Sequence, residues 1–340
     1  MNFKTYIINA IGIALPYILI ITLTNAKLIN SYYQGILMLV CINIILAVSL
    51  NITTGFLGQI ALGHAGFMSV GAYAAALFTK SSGLPQYPKF FIGLILGGIM
   101  AAILGLLVGI PALRLKGDYL AIITLGFGEI IRVIIENFKF TGGAMGLRSI
   151  PRLSTFSVTY WVMSISVVLL YAFIRSRHGR AIVAISQDDI ASESSGINNT
   201  YYKTLAFTIA AFFAGVAGGV YAHYMTILGA KSFDFLRSIE IMVIVVLGGM
   251  GSITGSIIAA IILTILPEAL RGFSMYRMLI YSLALILIMI FKPSGLFGGY
   301  EFSLNRLLSN ILYFFKSGKI KWRGNEFSLI PFANKKGGKK

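Results

Sequence analysis

The chain contains few of the residues from which metal, redox or catalytic centres are built. Its 340 residues include one cysteine, Cys41, and three histidines that lie far apart in sequence, His64, His178 and His223. A single cysteine cannot form a disulfide within the chain or a thiolate cluster, and the histidine spacing matches no metal-ligand motif. The sequence also lacks a G-x-x-x-x-G-K-[S/T] loop, which excludes ATP binding of the P-loop kind. We therefore expect no catalytic residue, no metal and no cofactor in this chain.

Charge is scarce, and negative charge is scarcest. Only 11% of the residues are charged, with 28 basic residues against 11 acidic ones, while 57% are hydrophobic and the mean hydropathy is +0.85. A soluble globular protein needs more charge than this to cover its surface, so that class is rejected. The basic excess would suit nucleic acid, but no aromatic platform accompanies it, and we expect no nucleic-acid partner.

Long apolar runs predict an all-α polytopic membrane protein. A helix needs about 20 apolar residues to cross the hydrocarbon core. The chain supplies such runs at residues 5–24, 32–50, 55–79, 90–110, 118–137, 158–174 and 203–228. A further tract, 239–291, is interrupted by glycines and by Pro267, which predicts shorter helical pieces. The first run follows Lys4 without an evident small-x-small cleavage site, so we expect a retained helix rather than a signal peptide.

A glycine-rich stretch within the run 55–79 predicts a broken helix. Glycine weakens a helix by up to about 1 kcal/mol relative to alanine, and broken helices persist in membranes where the freed backbone is buried in protein or lines a cavity. The residues assigned to the break or to a translocation path are Gly55, Gly58, Gln59, Gly63, His64 and Gly66. Hydrogen bonds from Gln59 and His64 to neighbouring helices are favoured over a contact with a transported solute.

Two opposite charges stand inside the run 118–137. Glu129 and Arg132 are three residues apart and therefore share one helical face. We expect an intramembrane ion pair, with a contact on a translocation path as the second interpretation.

A short acidic segment lies between two apolar runs. Asp188, Asp189 and Glu193 supply three of the chain's 11 acidic residues. Ser186 is predicted to cap a helix of about nine residues (187–196), and Gly196 to take the left-handed position that ends it. Asn199 or Thr200 is expected to cap the next helix. A short acidic helix between spans suits docking into a groove of a soluble partner, although a solvated loop helix without a partner is the alternative.

The last forty residues form a basic tail. Ten of the 28 basic residues follow Phe291, which favours a cytoplasmic location. Apolar residues recur at helical spacing from Leu304 to Phe315, and this pattern predicts a helix lying on anionic lipid. We therefore divide the chain into a transmembrane domain, 1–299, and a tail, 300–340.

Five blocks of this sequence resemble a known family. The blocks are Gly55–Tyr73, Leu113–Ile130, Thr141–Gly146, Gly179–Asn198 and Val246–Ser252, the last followed by Leu266-Pro267-Glu268. They occur in the order found in the permease subunits of branched-chain amino acid ABC importers of the LivM type. The resemblance covers roughly residues 32–295.

The resemblance implies about ten helices (eight to ten) in a type II fold, like that of vitamin B12 importers. It also implies that residues 187–196 form the coupling helix, in which Asp188, Asp189, Ala191, Glu193 and Gly196 serve two ABC ATPase subunits. ATP and Mg would be bound by those subunits. The remaining expected partners are a second permease subunit in a heterodimer, an extracytoplasmic solute-binding protein and membrane lipid.

The substrate implied by the resemblance is leucine, isoleucine and valine. Permeases of this type for urea, amides or other amino acids are the alternatives within the family. The alternative outside it is an ATP-independent secondary transporter or channel, whose distinguishing feature would be paired intramembrane acids.

Overall fold

The structure is a computed structural model that describes residues 3–112, 117–273, 276–292, 295–296, 298, 319–322 and 325–328. These residues form two compact units, Ile29–Glu301 and a unit made of Met1–Leu28 with Phe302–Lys340. The smaller unit contains helix α1 (Phe3–Asn25) and an antiparallel pair of strands, β1 (Lys319–Trp322) and β2 (Asn325–Ser328). The interfacial helix predicted over Leu304–Phe315 lies outside the described residues.

The regular secondary structure of the larger unit is helical in its described residues, apart from one isolated β-bridge between Leu147 and Leu228. Its helices are α2 (Ser31–Asn51), α3 (His64–Ser81), α4 (Gln86–Ala112), α5 (Asp118–Asn137), α6 (Phe156–Arg175), α7 (Arg177–Gln187), α8 (Asp189–Ser194), α9 (Asn199–Met225), α10 (Phe235–Gly248), α11 (Ile253–Ala269) and α12 (Arg277–Phe291). The shorter pieces predicted for 239–291 are α10, α11 and α12. The apolar run 55–79 is interrupted at its start, where a broken helix is predicted, since α3 begins only at His64.

Among the described residues, five stretches are long and apolar enough to cross a membrane: Ser31–Phe56, Gln86–Pro111, Phe156–Arg175, Asn199–Met225 and Ile253–Gly272. Helix α5 also has 20 residues. It falls outside this group because four of its side chains are charged, Asp118, Glu129, Arg132 and Glu136. The described chain is thus a multi-pass helical membrane protein.

Helix α2 lies in the centre of the bundle. Its sequence is apolar on every face, which is typical of a helix surrounded by other helices. In the structure 83% of its most apolar stretch is buried, and it packs against α6, α9, α10 and α11. The few polar side chains of α2 are therefore enclosed by protein, and each needs a partner there.

Glycines bring α3, α4 and α9 into backbone contact. A Cβ on Gly71 would overlap the backbone of Gly215 in α9, and a Cβ on Gly218 would overlap the carbonyl of Met68 in α3. Gly97 of α4 likewise lies against the backbone of Gly71. The small residues of these helices therefore let their axes approach.

The two ends of the bundle are marked by contacts between distant segments. At one end, the Arg148 end, Lys80 Nζ donates to the carbonyl of Arg148 at 3.1 Å, and Leu147 pairs with Leu228. At the other, the Ser186 end, Gly58 lies beside Ser186. A Cβ built on Gly58 would be 3.5 Å from the Cβ of Ser186. Helices α7 and α8 are placed at the Ser186 end.

The close helix contact at Gly71 predicts that adding one methyl group at this position destabilises the protein. Gly71→Ala should lower stability by about 1–3 kcal/mol, because the new Cβ has to displace the Gly215 backbone. Gly126→Ala is the matched control, since nothing lies within 4 Å of its Cβ position, and it should be neutral or slightly stabilising. Thermal unfolding of the detergent-solubilised protein, followed by size-exclusion chromatography, measures both. Equal melting temperatures for the two variants would contradict the close contact.

Candidate functional site

The acidic segment forms a short helix that is separated from its neighbour by one extended residue. Asp188 has φ −157° and ψ 116° between α7 and α8. Its Oδ1 accepts from the backbone N–H groups of Ile190 at 2.8 Å and Ala191 at 3.0 Å. Asp188 is thus the N-cap of α8, because a carboxylate satisfies two N–H groups that the first turn leaves free.

The predicted cap at Ser186 is wrong. Ser186 lies inside α7, where its hydroxyl donates to the carbonyl of Val183 at 2.8 Å. The helix after Asp188 has six residues rather than the predicted nine, since α7 continues to Gln187. A serine and an aspartate two residues apart both suit an N-cap, and the aspartate at the chain reversal takes that role.

The end of α8 is as predicted. Gly196 has φ +84°, the left-handed conformation that glycine adopts without strain. The Gly196 N–H donates to the carbonyl of Glu193 at 3.0 Å, and the Ile197 N–H to that of Ser192 at 3.1 Å. The next helix is capped by Asn198, which accepts from Tyr201 N at 3.0 Å, and not by Asn199 or Thr200.

Side chains join α8 to the first turns of α9. Asp189 Oδ2 lies 2.7 Å from Lys203 Nζ, and the Lys203 residue is only 7% exposed. The amide of Asn199 donates to the Asp189 carbonyl at 2.7 Å and accepts from the Ser192 hydroxyl at 3.0 Å. One predicted docking residue, Asp189, is thus bound within its own chain.

The outer face of α8 carries the other predicted docking residues. Ala191 and Glu193 are exposed, and Ile190 is 76% exposed. An isoleucine this exposed on a six-residue polar helix has no partner surface within the described chain. Ile190 is thus accessible to another protein chain.

The glycine-rich stretch breaks the helix as predicted. Helix α2 continues into a π-helical turn, Ile52–Phe56, and residues 57–63 are not helical before α3 begins at His64. Gly58 has φ +74° in this segment. The freed backbone finds partners within the chain, for example where Gln59 N donates to the Thr53 carbonyl at 2.9 Å.

Asn51 holds this break against the loop between α10 and α11. Its amide donates to the Ser252 carbonyl and to Ser256 Oγ, both at 2.9 Å, and its Oδ1 accepts from Gly251 N at 2.9 Å. Gly55 packs on this cluster, and a Cβ there would overlap Asn51 and Gly251. Sequence reasoning missed Asn51, although an asparagine inside an apolar run is a signal, because an enclosed amide requires partners.

The remaining residues of the stretch divide into two groups. His64 Nε2 lies 2.9 Å from Ser49 Oγ, so His64 bridges α3 and α2, whereas Gln59 Oε1 is enclosed without a hydrogen-bond partner. The predicted helix bridge therefore exists for His64 alone. Gly63 and Gly66 lie against α5, where a Cβ on Gly66 would come within 2.8 Å of Gly128.

The ion pair on α5 includes a third residue. Arg132 Nε lies 2.7 Å from Glu129 Oε2, as the spacing predicts, and Arg132 Nη1 lies 3.1 Å from Glu136 Oε2. Glu136 was missed by the sequence reasoning, although four-residue spacing places it on the same face. Side-chain exposures of 22–31% show that these three groups, here called the α5 charged stripe, reach the surface of the chain.

Helix α10 carries a second charged group close to the α5 charged stripe. Asp234 caps α10 by accepting from Arg237 N at 3.0 Å. The Arg237 guanidinium lies 2.9 Å from Glu240 Oε2 and donates to Asn43 Oδ1 of α2 at 2.7 Å. Glu129, Asp234 and Gly66 border one narrow cleft between α3, α5 and α10. Among the described residues no set of three His, Cys, Asp or Glu side chains is placed to hold a metal ion.

Comparison with known proteins adds an independent finding. Residues 32–291 match the family model described as branched-chain amino acid transport system / permease component. The chain is 38% identical to the high-affinity branched-chain amino acid transport system permease protein LivM of Escherichia coli over 293 residues, which are 76% of this chain and 68% of LivM. It is 37% identical to LivM of Salmonella typhimurium over 75% of this chain and 67% of that protein.

A second type of permease is more distantly similar. The Escherichia coli permease LivH is 31% identical over 151 residues, which are 43% of this chain and 48% of LivH. No solved structure matches the chain at a significant level.

Because Arg132 is shared by two carboxylates of the α5 charged stripe, its removal should destabilise the protein more than the removal of one carboxylate. Arg132→Met should cost about 3 kcal/mol of stability, because two carboxylates on an apolar helix lose their counter-charge together. Glu136→Gln should cost less than about 1 kcal/mol, since the Glu129–Arg132 pair remains. Thermal unfolding in lipid nanodiscs measures both variants, and similar losses would argue against a shared counter-charge.

The Asp188 cap predicts an acid-sensitive helix. The backbone N–H donors of Ala191 and Ile190 lower the pKa of the Asp188 carboxyl below its ordinary value. The ionised Asp188 carboxylate therefore stabilises the folded α8 fully above about pH 4, where an unfolded aspartate is also ionised. This stabilisation is lost as the pH falls through the lower pKa of the folded state. Hydrogen exchange at Ile190 and Ala191 should accelerate over that fall, after correction for intrinsic rates. Asp188→Asn keeps the acceptor at every pH and should show no such acceleration; if it does, protonation of Asp188 is not the cause.

Proposed function

The chain belongs to the family of permease components of branched-chain amino acid transport systems, and from that premise we propose that it is the membrane-spanning subunit of an ATP-driven importer of leucine, isoleucine and valine. In this proposal the chain binds no ATP. Two ABC ATPase subunits bind ATP and Mg, a second permease subunit pairs with this chain, and an extracytoplasmic binding protein delivers the solute. The LivM and LivH relatives, two types of permease named for one kind of transport system, support the pairing.

The observation that carries the proposal is the geometry of α8. This helix follows α7 across one extended residue, lies at the Ser186 end of the bundle, and exposes Ile190, Ala191 and Glu193. An exposed apolar side chain flanked by acids suits a groove on a soluble subunit. We assign α8 as the coupling helix, with Asp188 and Gly196 fixing its two ends.

The mechanism is alternating access. Closure of the ATPase subunits on ATP displaces α8, and the bundle reorients between a state open to the binding protein and a state open to the cytoplasm. Such a change requires contacts that differ between the two states. The Ser186 end then faces the cytoplasm. We assign the basic tail to the cytoplasm separately, on its charge alone.

We place the solute path along the α5 charged stripe and the neighbouring charges of α10. These groups keep 20–58% of their side chains exposed on otherwise apolar helices. Charged groups at this depth face water or protein rather than lipid, because lipid solvates neither sign of charge. Both acids of the stripe already bind Arg132, an arrangement that offers no open carboxylate pair for ion coupling and so favours the ATP-driven class over a secondary transporter.

The number of helices in the chain suits the proposed type II permease fold. Helices α2 to α12 together with α1 supply enough segments for about ten crossings of a type II permease fold, with the short helices α7 and α8 outside the membrane. The break at residues 57–63 then lies where the path needs irregular backbone, since such backbone occurs in membranes beside cavities or buried in protein.

The proposal predicts that Ile190 is the anchor for the ATPase. Purification of the tagged chain from its native membranes should recover an ATPase and a second permease, and proteoliposomes holding the complex should take up leucine only with ATP and the binding protein. Ile190→Asp should remove the ATPase and keep the second permease, because a charge replaces the apolar contact. Ile190→Leu is the matched control and should keep both. Recovery of the wild-type chain alone, with leucine flux independent of ATP, would overturn the proposed function.

A further inference from the structure

We propose that the ion pair of Asp189 and Lys203, together with the amide of Asn199, is the mechanical joint that transmits movement of α8 to α9. The proposal rests on the importer function proposed above and assigns Asp189 a different role within it. Asp189 and Lys203 are then positioning residues of the coupling mechanism and are not contacts of the ATPase. We call Asp189, Ser192, Asn199 and Lys203 the α8–α9 joint.

The first argument is the enclosure of the Lys203 cation. Its side chain is 9% exposed, and its ammonium lies 2.7 Å from Asp189 Oδ2. An enclosed ammonium that loses its counter-charge is strongly unfavourable, so the two groups stay together when α8 moves. The Asp189 carboxylate is 30% exposed, but its direction is set by Lys203 rather than by the solvent.

The second argument is the difference between the two sides of α8. Toward α7 the helix is connected by the single extended residue Asp188, whose side chain bonds only forward to Ile190 and Ala191 among the hydrogen bonds of the described chain. Toward α9 it is connected by the ion pair and by two hydrogen bonds of Asn199, at 2.7 Å and 3.0 Å. Side-chain bonds thus join α8 to α9 more strongly than to α7, so in this proposal a displacement of α8 moves α9.

The third argument is what α9 contacts beyond the joint. Lys203 is in the second turn of α9, and the same helix reaches α3 and α4 through Gly215 and Gly218. Helix α3 starts at His64, beside the break and the α5 charged stripe. The joint is therefore the first member of a continuous series of contacts from the exposed face of α8 to the proposed solute path.

The test uses the complete importer in proteoliposomes with its binding protein and radiolabelled leucine. Lys203→Met and Asp189→Asn should each lower the leucine taken up per ATP hydrolysed by about tenfold, because the joint no longer holds. The ATPase should remain bound, since Ile190 is unchanged. Lys80→Met is the matched control: it removes a lysine charge at the Arg148 end and should leave the leucine taken up per ATP hydrolysed unaltered. The exchanged pair, Asp189→Lys with Lys203→Asp, should recover most of the lost ratio.

Two results would overturn the joint. One is an unaltered uptake-to-hydrolysis ratio in Lys203→Met, and the other is loss of the ATPase from Asp189→Asn with Ile190 intact, which would make Asp189 a docking residue. Both presuppose that the wild-type complex couples uptake to ATP. If the wild-type complex does not couple uptake to ATP hydrolysis, the proposed importer function is refuted. Failure of the function is therefore distinguished from failure of the α8–α9 joint.

A cross-linking experiment tests the α8–α9 joint even if the single variants fold poorly. Asp189→Cys and Lys203→Cys, in a chain that also carries Cys41→Ala, remove the ion pair, and the two new thiols can be joined by a short bismaleimide. Joining them should restore the uptake-to-hydrolysis ratio lost in the unlinked protein, because the joint stays closed throughout the transport cycle. Inhibition by the cross-link would show that α8 and α9 separate during transport, and would overturn the proposal.

Discussion

The structure depends on one constraint: a polar group enclosed between apolar helices must find its partner in the chain, because lipid offers none. The break between α2 and α3 is held by Asn51, which makes three hydrogen bonds to the loop between α10 and α11 and to the first turn of α11. The charges of α5 are tolerated because Arg132 serves two carboxylates. The helix break and the charges of α5 are thus each matched by a specific side chain on another segment or one helical turn away, whereas the enclosed Gln59 Oε1 has no such partner among the described residues.

The same constraint explains what could be predicted from the sequence. Features set by neighbouring residues were predicted correctly: the helix break at the glycines, the left-handed Gly196, and the contact of Glu129 with Arg132. These depend on spacings of a few residues, which a sequence displays directly. Glu136 also lay within reach of such reasoning, at four residues from Arg132, and was overlooked.

Features set by distant partners could not be predicted. Nothing near Asn51 in sequence indicates that its amide meets Ser252 and Ser256, about two hundred residues away. The choice of Asp188 over Ser186 as the cap depends on where α7 ends, which is decided by packing at the Ser186 end. Likewise nothing in the sequence around Asp189 indicates that its carboxylate meets the enclosed Lys203, fourteen positions along the chain.

The glycine contacts among α3, α4 and α9 have a consequence for how stiff the bundle is. Glycine and alanine have no side-chain rotamers, so an interface made of Gly71, Gly215 and Gly218 loses no rotamer entropy on assembly and has no rotamers to change under load. A layer of leucines could absorb a small displacement by repacking, whereas backbone against backbone cannot. We therefore expect the three helices to move together as one unit, with little sliding at the glycine contacts.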